Sequence, residues 1–290
     1  MKVLVSGASG FIGRHTTSRL CDAGHQAVAL YNRQRPSTGG SIYWVKCDLM
    51  HAQCGLTDKD IDGVDGLIHL AAVGVNPREC DWASLFEFNV LCAVKLWLFA
   101  IKSGVQRIIN CGTCFEYGAA ANKHAFVPSS AAAEPLNAYA ASKAAATMAL
   151  HAITASHGIR AVTLRPCVVF GEGEPAYRLW PSLRRAAFAG EDFPMTTGQQ
   201  VRDFMPVESL ATQLCLAIER RDLLRGQMLV ENVGSGNPQS VLDFATSWWN
   251  HWGGSGRLLP GRLPARESEC LRMVPETSRI SDGNLSLPTT

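Results

Sequence analysis

Tyr139 and Lys143 stand four residues apart in Tyr-Ala-Ala-Ser-Lys, inside an Ala-rich run that predicts a helix over 138–157. Residues at that spacing share a helix face, so the Lys143 ammonium is expected near the Tyr139 hydroxyl. A free phenol titrates near ~10, too high for ready proton exchange at neutral pH. A neighbouring cation favours the phenolate, and a drop of about three units takes roughly 4 kcal/mol of preferential stabilisation. Such a pair also occurs on ordinary surface helices. Its meaning therefore rests on the elements that would position it.

The amino terminus supplies the first of these. Residues 2–6, Lys-Val-Leu-Val-Ser, suit a buried parallel strand. The chain then reads Gly7-Ala8-Ser9-Gly10-Phe11-Ile12-Gly13 and continues as a helical pattern that Gly24 stops. Strand, glycine-rich turn and helix in that order offer backbone N–H groups and a helix N-terminus to the pyrophosphate of a dinucleotide. Gly7 permits the tight turn, Gly10 lets the backbone approach the phosphates, and Gly13 lets the helix lie close on the strand.

Further strands are expected near 26–31, 42–46, 66–71, 106–111 and 160–164, with helices near 84–103 and 138–157 between them. This alternation predicts an α/β protein with a doubly wound parallel sheet. After Pro166 it weakens. Helices near 176–189, 208–220 and 239–251 and a strand near 227–232 suggest a smaller carboxy-terminal lobe. The expected division is a dinucleotide-binding domain over 1–165 and a mainly substrate-binding lobe over 166–290, with segments crossing back to the sheet. The long polar and Ala-rich stretch 118–137 is expected to lie over the active site, and residues 279–290 to fray.

The chain has 290 residues, 47% of them hydrophobic, which is enough for a large core. A net charge of +2 without a Lys/Arg run argues against a nucleic-acid or membrane-surface partner. No basic, apolar leader is seen, and the most apolar helical stretch, 90–101, is short and interrupted by Lys95, so a cytoplasmic protein is expected. The ten cysteines read as free thiols. Cys111-Gly-Thr-Cys114 has the spacing of a dithiol redox pair but follows a strand and enters a loop, whereas that motif opens a helix. No spacing predicts a metal site.

Taken together, the chain resembles the extended short-chain dehydrogenases/reductases of the NAD-dependent epimerase/dehydratase family. The likeness is carried by the GxxGxxG turn and Tyr139-x-x-x-Lys143. It extends to His69-Leu-Ala-Ala72, Asn89-Val90, Gly112-Thr113-Cys114-Phe115-Glu116-Tyr117-Gly118, Leu164 to Gly171, and Gly198 to Phe204 around Arg202. The resemblance implies that Thr113, Tyr139 and Lys143 form the catalytic set, with Asn89 in the proton path or, equally, an ordinary helix N-cap. It implies that Asp48 and Leu49 meet adenine, and that Leu70, Ala71 and Ala72 line the dinucleotide. Pro166, Val168 and Val169 would run beside the nicotinamide. Thr113, Cys114 and Phe115 would face the substrate. Arg202, and Arg266 more weakly, would meet its pyrophosphate, the alternative for each being a salt bridge with a neighbouring acid. Much of the family is dimeric, so a homodimer is expected.

NAD binders of this fold carry an acidic residue at the end of the second strand for the ribose 2′-hydroxyl. Here the residues are Tyr31-Asn32-Arg33-Gln34-Arg35. Arg33, helped by Arg14 or Arg35, could pair with a 2′-phosphate, so NADP(H) is favoured and NAD(H) is the alternative. Family 4,6-dehydratases have Asp-Glu directly after the catalytic Thr, where this chain has Cys114-Phe115, which argues against that reaction. The expectation is a reductase acting on the 4-keto group of a nucleotide-linked deoxysugar. The alternatives are a sugar-nucleotide 4-epimerase that retains NAD, or a scaffold without catalysis. Many relatives have Asn where this chain has Val168, which leaves the sugar nucleotide itself open.

Overall fold

A computed structural model describes residues 1–36, 42–51, 55–74, 81–264 and 270–277. In its first half, β1 (Lys2–Ser6), α1 (Phe11–Asp22), β2 (Gln26–Tyr31), β3 (Ile42–Lys46), the single turn α2 (Asp58–Ile61) and β4 (Gly66–His69) follow in order. The helix α3 (Trp82–Phe86) passes through a π-helical turn, Glu87–Cys92, into α4 (Ala93–Lys102), then β5 (Arg107–Cys111). Two 3₁₀ turns, Cys114–Tyr117 and Ala119–Lys123, lead to α5 (Ala138–His157) and β6 (Arg160–Pro166). The second half contains β7 (Val168–Phe170), α6 (Leu179–Ala189), β8 (Phe193–Pro194), β9 (Val201–Pro206), α7 (Val207–Glu219), β10 (Met228–Val233), β11 (Pro238–Ser240), α8 (Val241–His251), β12 (Leu258–Leu259) and β13 (Arg272–Met273).

The apolar runs of β1, β2, β4, β5 and β6 are buried because helices cover both sheet faces. Seven parallel strands take the order β10-β6-β5-β4-β1-β2-β3. The order reverses between β1 and β4, and a crevice is expected outside the carboxyl ends of strands at such a point. On one face, Val3, Val5, Ile68, Ile109 and Val162 pack with Leu20 of α1 and Leu210, Leu214 and Ile218 of α7. On the other, Leu4, Val28, Leu67 and Ile108 pack with Leu96 and Trp97 of α4 and Ala146 and Leu150 of α5. Residues 207–233 return to the main sheet, since α7 packs on α1 and β10 pairs with β6.

The remaining elements form a small lobe. Its central strand β9 pairs with β11 and β13 in its first half and with β7 in its second. Phe170, Trp180, Phe204, Phe244 and Trp248 make an aromatic core beneath it.

The helical stretch expected at 90–101 proves longer. Trp82–Lys102 is one apolar helix, long enough by length and composition to cross a membrane. In this fold its inner residues, among them Leu85, Asn89, Leu96 and Trp97, are buried under the sheet.

Candidate active site

The glycine-rich turn shows why its residue types are needed. Gly7 has φ +70°, and a Cβ there would lie 2.6 Å from the Ala71 nitrogen and 2.8 Å from the Leu70 carbonyl carbon. A Cβ on Gly13 would collide with the Gly7 carbonyl oxygen and lie 2.6 Å from the Ala8 Cα, so α1 sits directly on the turn. At Gly10 the nearest atom would be the Gly7 oxygen at 3.1 Å, so its other sides are open. Gly10 is the N-cap of α1, no side chain caps the helix, and its first turn has no acid. The N–H groups of Phe11, Ile12 and Gly13 therefore lack intrahelical partners and point toward the crevice at the positive end of a helix dipole. A dinucleotide pyrophosphate fits this cradle.

Behind the turn lies a feature that sequence spacing did not reveal. Ser6 Oγ accepts the N–H groups of Leu70 and Ala71 at 3.3 and 3.4 Å and shares a 2.8 Å hydrogen bond with His69 Nδ1. With both N–H groups donating to Ser6, the Ser6 hydroxyl hydrogen is the one directed at Nδ1. His69 is thus a neutral acceptor there, and burial followed by the Lys143 charge pushes its pKa down to about 3. Leu70 and Ala71 offer the crevice no free N–H; what they and Ala72 present is carbonyl and apolar surface.

Lys143 is buried on α5. Burial lowers its pKa, while Cys111 and Glu116 act to raise it. Tyr139, one turn earlier, stands over the 111–116 segment. Its pKa is raised, chiefly by burial and then by Cys111, with Arg178 the cation that opposes the rise. In the protein by itself desolvation outweighs the neighbouring cations, so the expected lowering of the phenol by Lys143 is not seen without the oxidised nicotinamide that would share in it. Among the described residues no hydrogen bond or ion pair engages either the Tyr139 hydroxyl or the Lys143 ammonium. Two polar groups in a sheltered crevice without protein partners mark a place where a ligand completes the bonding.

Thr113 ends the β5 exit and caps the following 3₁₀ turn. Its Oγ1 accepts the Phe115 N–H at 3.4 Å, which leaves its own hydrogen to point elsewhere. Its backbone N–H donates to Glu116 Oε1 at 2.9 Å, and the other oxygen of Glu116 is paired with Arg165 at 2.8 Å. Arg165 in turn lies 4.5 Å from the Tyr117 ring centroid, and the Tyr117 hydroxyl donates to Asn232 Oδ1 at 2.6 Å. Glu116 is fully buried and ion-paired, so it anchors the Thr113 turn and is no acid–base group for the crevice.

Asn89 lies inside the π-helical turn, which overturns its alternative reading as an N-cap. Its Oδ1 accepts the Val73 N–H at 2.9 Å, and its amide donates to the Val73 carbonyl at 3.0 Å and to Ser142 Oγ at 2.9 Å. Ser142 donates to the Tyr139 carbonyl at 2.8 Å. Both Asn89 amide hydrogens are committed. These bonds tie the β4 exit to the turn of α5 that carries Tyr139.

Cys114 is fully buried, and burial, together with Cys167 beside it, holds its thiol well above the ordinary range. Burial pushes Cys111 up to about 11. Neither is a reactive thiolate; all three are free thiols, and the Cys114 thiol shares a hydrogen bond with Cys167. Phe115 lies beneath the Arg202 guanidinium, 5.9 Å from ring centroid to guanidinium carbon. Arg202 donates to the carbonyls of Val201, Cys270 and Leu271, while Asp203 is taken by Ser235 and Gly236. Arg266 lies outside the described residues.

At the adenine end, Asp48 accepts the Met50 N–H and pairs with His51 at 2.9 Å, and Leu49 packs on the core. Asn32, Arg33 and Arg35 are exposed beyond β2. Arg14 does not join them: it donates to the Gly173 carbonyl at 3.2 Å, bracing α1 against the loop after β7. Pro166 closes β6, and Val168 and Val169 form β7.

The loop after β7 adds residues that sequence reading missed. Arg178 Nε donates to Glu174 Oε1 at 2.6 Å, and Glu174 Oε2 is buried without a partner among the described residues. Their four-residue separation was the available signal, although the pair lies at a helix start. The stretch 118–137 is anchored by Val127, which exchanges backbone hydrogen bonds with Val274 and Glu276.

The parallel sheet, the open glycine turn at its switch point and the Thr/Tyr/Lys set define an enzyme of the extended short-chain dehydrogenase/reductase type. Sequence comparison agrees: the profile of the NAD dependent epimerase/dehydratase family matches residues 3–234, and the chain belongs to that family. It is 28% identical over 269 residues to a UDP-glucose 4-epimerase of Streptomyces lividans, covering 83% of this chain and 78% of that protein. With the UDP-glucose 4-epimerase of Neisseria gonorrhoeae the identity is 27% over 300 residues, covering 92% and 87%. Among solved structures, MoeE5 in complex with UDP-glucuronic acid and NAD superposes with a TM-score of 0.84 at 27% identity, over 96% of this chain and 90% of that one. Family membership sets aside the scaffold without catalysis.

Proposed function

We propose that this enzyme epimerises a nucleotide-linked hexose at C4 with retained NAD. The carrying observation is the Tyr139 hydroxyl and Lys143 ammonium, both without described protein partners, beside an uncapped helix N-terminus that suits a pyrophosphate. Relatives named as UDP-glucose 4-epimerases support the choice of reaction, and MoeE5, solved with NAD and with UDP-glucuronic acid, supports the ligand class.

A bound nicotinamide would supply a reversible hydride acceptor for the sugar C4, which must present its opposite face for the return. The chain's residues do the rest. Gly7, Gly10 and the α1 N-terminus hold the pyrophosphate, and Lys143 binds the ribose hydroxyls of the dinucleotide. Tyr139 takes the proton from the sugar O4 and later restores it, while Thr113 donates its free hydroxyl hydrogen to the same oxygen. Arg178 opposes the burial that raises Tyr139, and a positively charged nicotinamide bound beside it would oppose it further. Arg202, which the resemblance points at the sugar-nucleotide diphosphate, is buried over Phe115 and donates to the carbonyls of Val201, Leu271 and Cys270, so it would meet that group only by giving up one of these bonds. The assembly is read as a cytoplasmic homodimer.

A second reading, the NADPH-dependent 4-ketosugar reductase, is favoured by the absence of a carboxylate after β2 and by exposed Arg33 and Arg35. One experiment separates the two. Purified protein without added cofactor is incubated with UDP-glucose and with UDP-glucuronic acid, and the 4-epimers are sought by chromatography. Appearance of either epimer, with NAD released on denaturation, supports the epimerase. No epimer, but stoichiometric oxidation of NADPH by a nucleotide-linked 4-ketosugar, overturns it in favour of the reductase.

A further inference from the structure

At the amino-terminal end of the sheet's strands, opposite the glycine turn, three side chains of metal-ligating type converge. Cys215 and Glu219 are four residues apart on one face of α7, and His25 stands in the turn between α1 and β2, held by its N–H to the Leu20 carbonyl. His25 Nε2 is 2.6 Å from Glu219 Oε1, Cys215 Sγ is 3.9 Å from the same oxygen, and the three ligand atoms lie within 4.8 Å of one another.

We propose that His25, Cys215 and Glu219 form a three-ligand site for a zinc-class divalent cation that staples α7 to the α1–β2 turn. The donor set is one thiolate, one imidazole and one carboxylate, a mixture suited to a borderline cation and poorly suited to magnesium or calcium. Zinc bonds of about 2.0–2.3 Å require donors roughly 3.3–3.8 Å apart in a tetrahedron. The nitrogen–oxygen contact must open and the wider separations close, movements within reach of side-chain rotation. Cys215 is buried at the floor, and Glu219 is 40% exposed at the rim, which gives an entry path and leaves the fourth position to water.

Arg19 favours the Cys215 thiolate, whereas burial, first, and Glu219 hold the thiol protonated at about 11. The cation must therefore displace that proton into solvent, and thiolate plus carboxylate then neutralise its double charge. Because His25 and Glu219 are nearly two hundred residues apart, no sequence spacing announces this site. The strand start it braces is the far end of β2 from the crevice, so its role is stability.

The test uses untagged full-length protein freed of metal by a chelator and titrated with Co²⁺, then with Zn²⁺. The expected result is one equivalent of Co²⁺ with a thiolate-to-cobalt charge-transfer band, displaced by Zn²⁺, and a Tm higher by about 5 °C when free Zn²⁺ is about 100-fold above its Kd. Cys215→Ser should abolish the charge-transfer band, and His25→Gln and Glu219→Gln should each weaken binding at least tenfold. The inference is overturned if stoichiometric Co²⁺ gives no charge-transfer band, or if the band and affinity persist in Cys215→Ser. It is equally overturned if neither His25→Gln nor Glu219→Gln, each folded by circular dichroism, changes the affinity.

Discussion

At the scale of single residues, the crevice is defined by groups whose burial has no internal compensation. Tyr139→Phe removes only the hydroxyl, so turnover should fall roughly 10³-fold with fold and dinucleotide affinity kept; steady-state rates beside a binding isotherm check it. His69 makes a different prediction. Its folded pKa of about 3 lies below the ordinary 6.5. Between these values the unfolded chain binds a proton that the native chain does not. This contribution is fully present above about 6.5 and is lost as pH falls toward 3, with a slope approaching about 1.4 kcal/mol per pH unit. His69→Asn, which keeps an acceptor for Ser6, should flatten the fall in stability between roughly pH 6 and pH 4, read from urea unfolding at each pH. An unchanged slope would mean that His69 is protonated in the native state.

At the scale of elements, the glycine turn and the 3₁₀ turn after β5 separate packing from ligand contact. Gly13→Ala would force α1 off the turn and is expected to destabilise by about 3 kcal/mol. Gly10→Ala meets only the Gly7 oxygen, so it should leave the melting temperature nearly unchanged while weakening dinucleotide binding at least tenfold. Calorimetric melting and a titration on both variants test the contrast. In the second turn, Arg165→Met strands the buried Glu116 carboxylate and should cost about 3–5 kcal/mol, much of it recovered in Arg165→Met/Glu116→Gln. Chemical unfolding of the single and double variants measures the recovery. The helices α1 and α5 and the inner strands were legible because glycine stops, Ala-rich composition and apolar runs are local signals. The π-helical turn was not, because Asn89 is drawn inward by Val73 and Ser142, partners distant in sequence. Nor was β9, because 201–206 is held as a strand by pairing with β7, β11 and β13, partners distant in sequence.

At the scale of the molecule, α3 to α5 carry apolar residues outward as well as inward. Leu91, Leu98 and Met148 are exposed, and a second copy packed over them is the homodimer proposed above. Light scattering should give twice the chain mass, and Leu98→Glu with Met148→Glu should give the monomer; a monomeric starting protein would exclude the arrangement. By itself the sequence determined the doubly wound sheet and the dinucleotide turn, because strand alternation, glycine spacing and helix periodicity act over a few residues each, while the Thr113, Tyr139, Lys143 set was implied by the family resemblance. Only the tertiary structure decided that Tyr139 is raised in the protein by itself, that Asn89 ties the β4 exit to α5, that Glu116 is locked to Arg165, that Arg14 braces the loop after β7, and that His25 meets Cys215 and Glu219. Those outcomes depend on burial and on charges brought together from far apart in the chain, and desolvation has no signature in local spacing.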